Sequence, residues 1–229
     1  SAAVPKDNPE LAAAKKRGIK CQTYSQALGD LTKKMFTIAI SGMHGKSTTT
    51  AMLGLILEAA DLDPTVIIGT KVKEWGIGNN FRLGKSKYLV IEADEYNASF
   101  LDYRPQIIVL LNIEEEHLDF YKDLSDIVRT FKKYIGHLPE NGVLVANSDD
   151  ENICNLAQSV KCRVQNYNKE MKISNLELKI PGRHNLMNAF AAITAARLLG
   201  ISDTISVKTL NNFSGTWRRM EYKGEVNGA

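Results

Sequence analysis

One stretch limits what this chain can become more than any other. From Met35 to Thr50 an apolar segment, Phe36–Ile40, breaks into a loop bracketed by Gly42 and Gly45 and continues as Lys46, Ser47 and Thr48. An apolar strand, a glycine-bracketed loop and a helix predicted over Thr48–Ala60 stand in the order of a phosphate-binding cradle. Glycines let successive N–H groups crowd a polyphosphate, a lysine adds a point charge, and a serine hydroxyl reaches a magnesium ion. The spacing departs from the usual G-x-x-x-x-G-K-S, because Ile40 stands where the first glycine is expected. The plainer reading, a glycine-rich turn with a solvated lysine, leaves the strand before it and the helix after it unexplained.

The pattern after this loop alternates. Strands are expected at Phe36–Ile40, Thr65–Ile68, Tyr88–Ile91, Ile107–Asn112, Val143–Ala146 and Arg163–Asn166, with helical periodicity between several of them. Such alternation predicts an α/β fold, a mostly parallel sheet flanked by helices. After Asp123, Leu124, Ile127, Val128, Phe131, Tyr134 and Ile135 recur at spacings of three and four, which predicts an amphipathic helix packed on the sheet. A second helix is expected from Asn185, as its cap, to Leu199, ending at Gly200. Met171–Ile180 alternates imperfectly and is expected to add a small β segment. Ahead of the loop, Val4–Lys34 reads as a detached piece: a short helix at Glu10–Arg17, a strand at Ile19–Tyr24 and a helix at Gln26–Leu31.

At 229 residues and 44% hydrophobic content, the chain suffices for one substantial core. Its net charge of +3 is near balance, and its Lys/Arg clusters, Lys15–Arg17 and Lys132-Lys133, carry no interleaved aromatics, so a nucleic-acid surface is not expected. The longest apolar run, Ile107–Leu111, is too short for a membrane span. Cys21, Cys154 and Cys162 form no CxxC pair, which suits a reducing compartment and a cytoplasmic location.

Ligands of open α/β sheets gather at the carboxyl ends of strands. There the sequence places Glu92-Ala93-Asp94-Glu95 after one strand and Asn112 through His117 to Asp119 after another. Magnesium prefers oxygen ligands, so a carboxylate near Ser47 is expected, while a histidine nitrogen would suit manganese as well. Acids after a strand also cap helices or face solvent, and that alternative stands beside the functional one. Asn147–Asp150 lacks the lysine of a guanine signature.

Gly42–Thr50, Glu92–Glu95, Asn112-Ile113-Glu114 with His117, Gly182 with His184-Asn185 and Asn188, and the late Arg218-Arg219 together resemble, in order, the central-domain motifs of the Mur ligases. The resemblance implies an ATPase domain. In it Gly42, Met43, His44, Gly45, Lys46, Ser47 and Thr48 wrap the β- and γ-phosphates of ATP, and Ser47 and Glu92 bind Mg2+. His117 helps hold a second ion, Mg2+ or Mn2+, Asn185 and Asn188 lie by the adenine, and Arg219 faces the phosphates. Lys46, Glu92 and His117 are the expected catalytic residues of a ligase that phosphorylates a carboxylate and then forms an amide. UDP-N-acetylmuramate and L-alanine are the substrates implied for a full-length enzyme in cell-wall synthesis. A ligase for a recycled peptide, or a P-loop kinase or binding module without ligation, stays open beside it. Glu116 stands where the family often has Asp, and Met220 where it has Phe. Some relatives carbamylate a lysine near Lys132, but Phe131 aligns as well, and a solvated helix-face charge is the preferred reading of Lys132. The family pattern further implies residues 1–34 as a remnant of a UDP-binding domain, 35–216 as the ATPase domain and 217–229 as a linker, a fragment expected to bind ATP without completing the reaction.

Overall fold

A computed structural model describes residues 4–5, 7–76, 79–168 and 173–219. Two helices precede the sheet. In α1 (Pro9–Lys16), the Asn8 side chain accepts the Leu11 N–H and no residue is buried. Helix α2 (Tyr24–Thr32) opens with a reciprocal cap, Thr23 accepting from the Gln26 N–H and Gln26 from the Thr23 N–H. That cap is why the strand expected at Ile19–Tyr24 does not form: Ile19–Thr23 is irregular chain, Tyr24 is the first residue of the helix, and both Ile19 and Tyr24 are exposed. Helix α2 is docked on the core, since the Arg104 N–H donates to Thr32 Oγ1 at 3.0 Å.

The sheet follows: β1 (Phe36–Ser41), β2 (Thr65–Ile67), β3 (Phe81–Arg82), β4 (Tyr88–Glu92), β5 (Ile107–Leu110), β6 (Val143–Ala146) and β7 (Arg163–Asn166). Its order is β3-β2-β4-β1-β5-β6-β7, parallel throughout except for β3, which pairs antiparallel with β2. Strand β3 was not expected; two residues are too short to carry a period. Alternating side chains divide the core between two faces. Ile38, Ile40, Val90, Ile107 and Val109 pack with α3 (Lys46–Ala59), α6 (Arg183–Leu198) and α7 (Asp203–Leu210). Ala39, Leu89, Ile91, Ile108 and Leu110 face α4 (Leu124–Ile135) and α5 (Glu151–Ala157).

The amphipathic helix behind Asp123 is present as α4. Asp123 caps it, accepting the Asp126 N–H at 2.9 Å, and Ile127, Phe131, Tyr134 and Ile135 are buried. Phe100 stacks on Tyr134 with ring centroids 4.2 Å apart and meets Phe131 edge-on at 5.1 Å. Lys132 stands on the exposed face. Helix α6 starts earlier than expected: Gly182, at φ +102°, is the cap, and Asn185 lies buried inside the first turn, donating to the Pro181 carbonyl at 2.7 Å. The β segment expected over Met171–Ile180 is not found, because 173–180 are turns and irregular chain; 171–172 lie outside the described residues, as does Met220.

The chain runs from β1 to one flank of the sheet, returns in β4 beside β1, then crosses to the other side for β5. The carboxyl ends of β1, β4 and β5 therefore meet at the point where the winding reverses, where an open α/β sheet leaves a crevice.

Candidate active site

The loop after β1 is built on two left-handed glycines, Gly42 at φ +131° and Gly45 at φ +84°. A Cβ on Gly42 would come within 3.0 Å of the Asn112 backbone, and one on Gly45 would strike the Asn188 amide. Gly45 is also the N-cap of α3, so the N–H groups of the first turn, at Lys46, Ser47 and Thr48, open toward the loop with no helical acceptor. Asn112 fixes the other side. It accepts the His44 N–H at 2.8 Å and donates to the His44 carbonyl at 3.0 Å, while its own carbonyl accepts from Met43.

Two carboxylates from the end of β4 divide the site. Glu92 takes the Ser47 hydroxyl on both oxygens, at 2.9 and 3.1 Å, and the Gly69 N–H at 2.7 Å. Glu95 is fully buried and takes the Lys46 ammonium on both oxygens, at 2.9 and 2.8 Å. It also meets His117 Nε2 at 3.2 Å, and its carbonyl accepts the Tyr121 hydroxyl. Burial pushes the Glu95 carboxyl up against the opposing pull of Lys46. His117 packs its ring on Tyr96 with centroids 5.0 Å apart, and Tyr96 donates to Asp119; that hydrogen bond, then the Asp119 charge, holds the phenol above its usual range.

Arg219 reaches the same cleft from the end of the described chain. Residues 216–219 lie over the loop after β2: Thr216 bridges Val72, the Trp217 N–H donates to the Lys71 carbonyl, and Thr70 donates to the Trp217 carbonyl. Met43, His44, Gly45, Lys46, Ser47, Thr48, Glu92 and Arg219 line one cleft. The structure thus joins Ser47 to Glu92 and places His117 with Glu95 and Lys46. Asn185 and Asn188 are buried, with Asn188 behind Gly45. Sequence reasoning passed over Glu95, Asn112 and Tyr121. Glu95 and Asn112 stand inside stretches it quoted, but nothing in the spacing said which carboxylate faces the lysine.

Among the described residues, Glu95, Glu116 and His117 offer ligand atoms within 4.8 Å of one another. The Ser47 hydroxyl and Glu92 carboxylate are hard oxygen donors of the kind magnesium takes, so the residues present fit such an ion. No helix among the described residues is long and apolar enough to cross a membrane.

Residues 40–177 match the family described as the Mur ligase middle domain. The chain belongs to that family. It is 40% identical over its whole length to the UDP-N-acetylmuramate–L-alanine ligase of Clostridium acetobutylicum, covering 55% of that protein. It is 41% identical, again over its whole length, to the ligase of the same name from Caldicellulosiruptor saccharolyticus, covering 56% of it. The chain therefore spans about half the length of the curated relatives it matches. Among solved structures, the UDP-N-acetylmuramate–alanine ligase of Thermotoga maritima superposes with a TM-score of 0.76 at 25% identity, covering 98% of this chain and 56% of that one. The UDP-N-acetylmuramate:L-alanyl-gamma-D-glutamyl-meso-diaminopimelate ligase of Neisseria meningitides gives 0.80 at 26% identity, covering 92% and 76%. These Mur ligase neighbours share the mostly parallel sheet flanked by helices.

Proposed function

We propose that the cleft binds Mg-ATP and serves a ligase that joins L-alanine to UDP-N-acetylmuramate. The observation that carries the nucleotide reading is the glycine loop at the switch point, with Lys46 on one side and Ser47 against Glu92 on the other. The substrate choice is supported by the names of the relatives that match over the whole chain.

In this reading the N–H groups of the α3 first turn and the Lys46 ammonium receive the phosphate oxygens, and Arg219 adds positive charge from across the cleft. Ser47 and Glu92 would hold the magnesium ion, with His117 near a second; bound there, an ion neutralises charge on the phosphates. A carboxylate oxygen of the sugar nucleotide attacks the γ-phosphorus and ADP leaves, giving an acyl phosphate. The amine nitrogen then attacks the acyl carbon, phosphate leaves, the nitrogen loses a proton and an amide remains. Nothing in this sequence requires a protein nucleophile; it requires placement and charge, which the site supplies. We assign the groups that recognise the sugar nucleotide and the amino acid to the part of the relatives' length that this chain does not span, with residues 1–34 and 217–229 as the joining segments.

The test uses the longer protein with UDP-N-acetylmuramate, ATP and one amine at a time, following phosphate release. Release that depends on L-alanine supports the reading. Release that depends on a tripeptide would favour a ligase of the Neisseria type, and release without any amine would leave an ATP hydrolase.

A further inference from the structure

Every donor of the Lys46 ammonium is already engaged. Its Nζ lies 2.7 Å from the Gly42 carbonyl, 3.2 Å from that of Met43 and within 3 Å of both Glu95 oxygens. To touch a phosphate, the ammonium must loosen one of these bonds. The carbonyls belong to the loop itself, whereas Glu95 belongs to a different segment and is bonded at the same time to His117. A change at Lys46 is therefore felt at the imidazole through one carboxylate.

The backbone around this carboxylate is strained on both sides. Asn97 and Ala98, just after Glu95, have φ of +54° and +53°, and His117 itself has +57°; none is glycine. Left-handed non-glycine residues persist only where the surroundings hold them. Tyr121, from beyond the His117 turn, donates its hydroxyl to the Glu95 carbonyl, and the N–H groups of Phe120 and Tyr121 close the turn on the His117 carbonyl. Two constrained turns thus converge on one fully buried carboxylate that takes the nucleotide lysine on both oxygens and shares one of them, Oε1, with the histidine.

We propose that Glu95 is a positioning residue that couples Lys46 to His117, so that filling the phosphate cradle and setting the histidine are one event. This rests on the nucleotide reading above. It assigns Glu95 no contact with substrate, and a side chain that merely filled space would produce no such coupling.

A double-mutant cycle tests it in the 229-residue chain. Mg-ATP affinity is measured by calorimetry for wild type, Lys46→Ala, His117→Ala and the pair, and the same four are repeated with Glu95→Gln. With Glu95 present, the double variant should lose less affinity than the product of the single losses by at least about threefold. In the Gln background the losses should multiply. Glu95→Asp, which draws the carboxylate back by one methylene from both partners, replaces Glu95→Gln if circular dichroism shows the latter unfolded. Losses that multiply with Glu95 present, or equal coupling in both backgrounds, overturn the proposal while nucleotide binding stands. A wild-type chain that does not bind Mg-ATP at all overturns the nucleotide reading and this inference with it.

Discussion

Lys46 and Glu95 form an ion pair whose side chains are 13% and 0% exposed, so removing one member leaves the other stranded in a poorly solvated place. Breaking such a pair costs about 3–5 kcal/mol. Lys46→Ala should therefore lower the denaturation midpoint in urea as well as weaken Mg-ATP binding, by at least about tenfold, since a bond to a charged group contributes roughly 1.5–3 kcal/mol. Adding Glu95→Gln to Lys46→Ala should recover part of the stability and none of the affinity. A double variant less stable than Lys46→Ala would show that the buried carboxylate is not the source of the loss. The sequence made Lys46 and Ser47 legible because their roles follow from the glycines beside them. Glu95 was not legible: Glu92 and Glu95 are the same residue type, three residues apart. Only the turn through Asn97 and Ala98 decides which of them looks at the lysine.

Elements with a repeat of their own were readable from sequence. The bounds of β6 and β7, the buried stripe of α4 and the place of β1 all follow from apolar period and length. What failed did so for local reasons. Ile19–Tyr24 has β-forming residues but no neighbouring edge to pair with, and a reciprocal helix cap takes its end. Asn185 has the chemistry of a cap, yet Gly182 reaches the required backbone angle first. At α4, Asp123→Ala should cost about 1 kcal/mol in urea unfolding through loss of its bond to the Asp126 N–H. Just beyond that helix, His137 Nδ1 lies 3.2 Å from both the Arg104 guanidinium and the Tyr103 carbonyl. Burial, aided by Arg104, holds its pKa below the ordinary 6.5. The unfolded chain therefore binds this proton more readily, and stability falls as pH drops below about 6.5. Melting temperatures at pH 7.5 and 5.5 should differ less in His137→Asn than in the wild type; an equal difference would exclude His137 as a source.

Across the whole molecule, the winding of the sheet brings groups distant in sequence together: Lys46, Glu92 and Arg219 line one cleft, and His117 joins them through Glu95. Binding there should stabilise the whole fold. At a hundredfold excess over Kd, Mg-ATP adds about 2.7 kcal/mol, which for a chain of this size raises the melting temperature by roughly 5–10 °C. EDTA should shrink that rise, and a rise unchanged by EDTA would remove the metal from the account. Residues 216–219 lead to one further consequence. Trp217 is 43% exposed, lies under the Lys71 ammonium and the Arg218 guanidinium, and sits two residues from Arg219 in the cleft. With Trp75→Phe removing the other indole, the emission of Trp217 alone becomes an optical gauge native to the chain, its colour set by how near those cations stay to the ring.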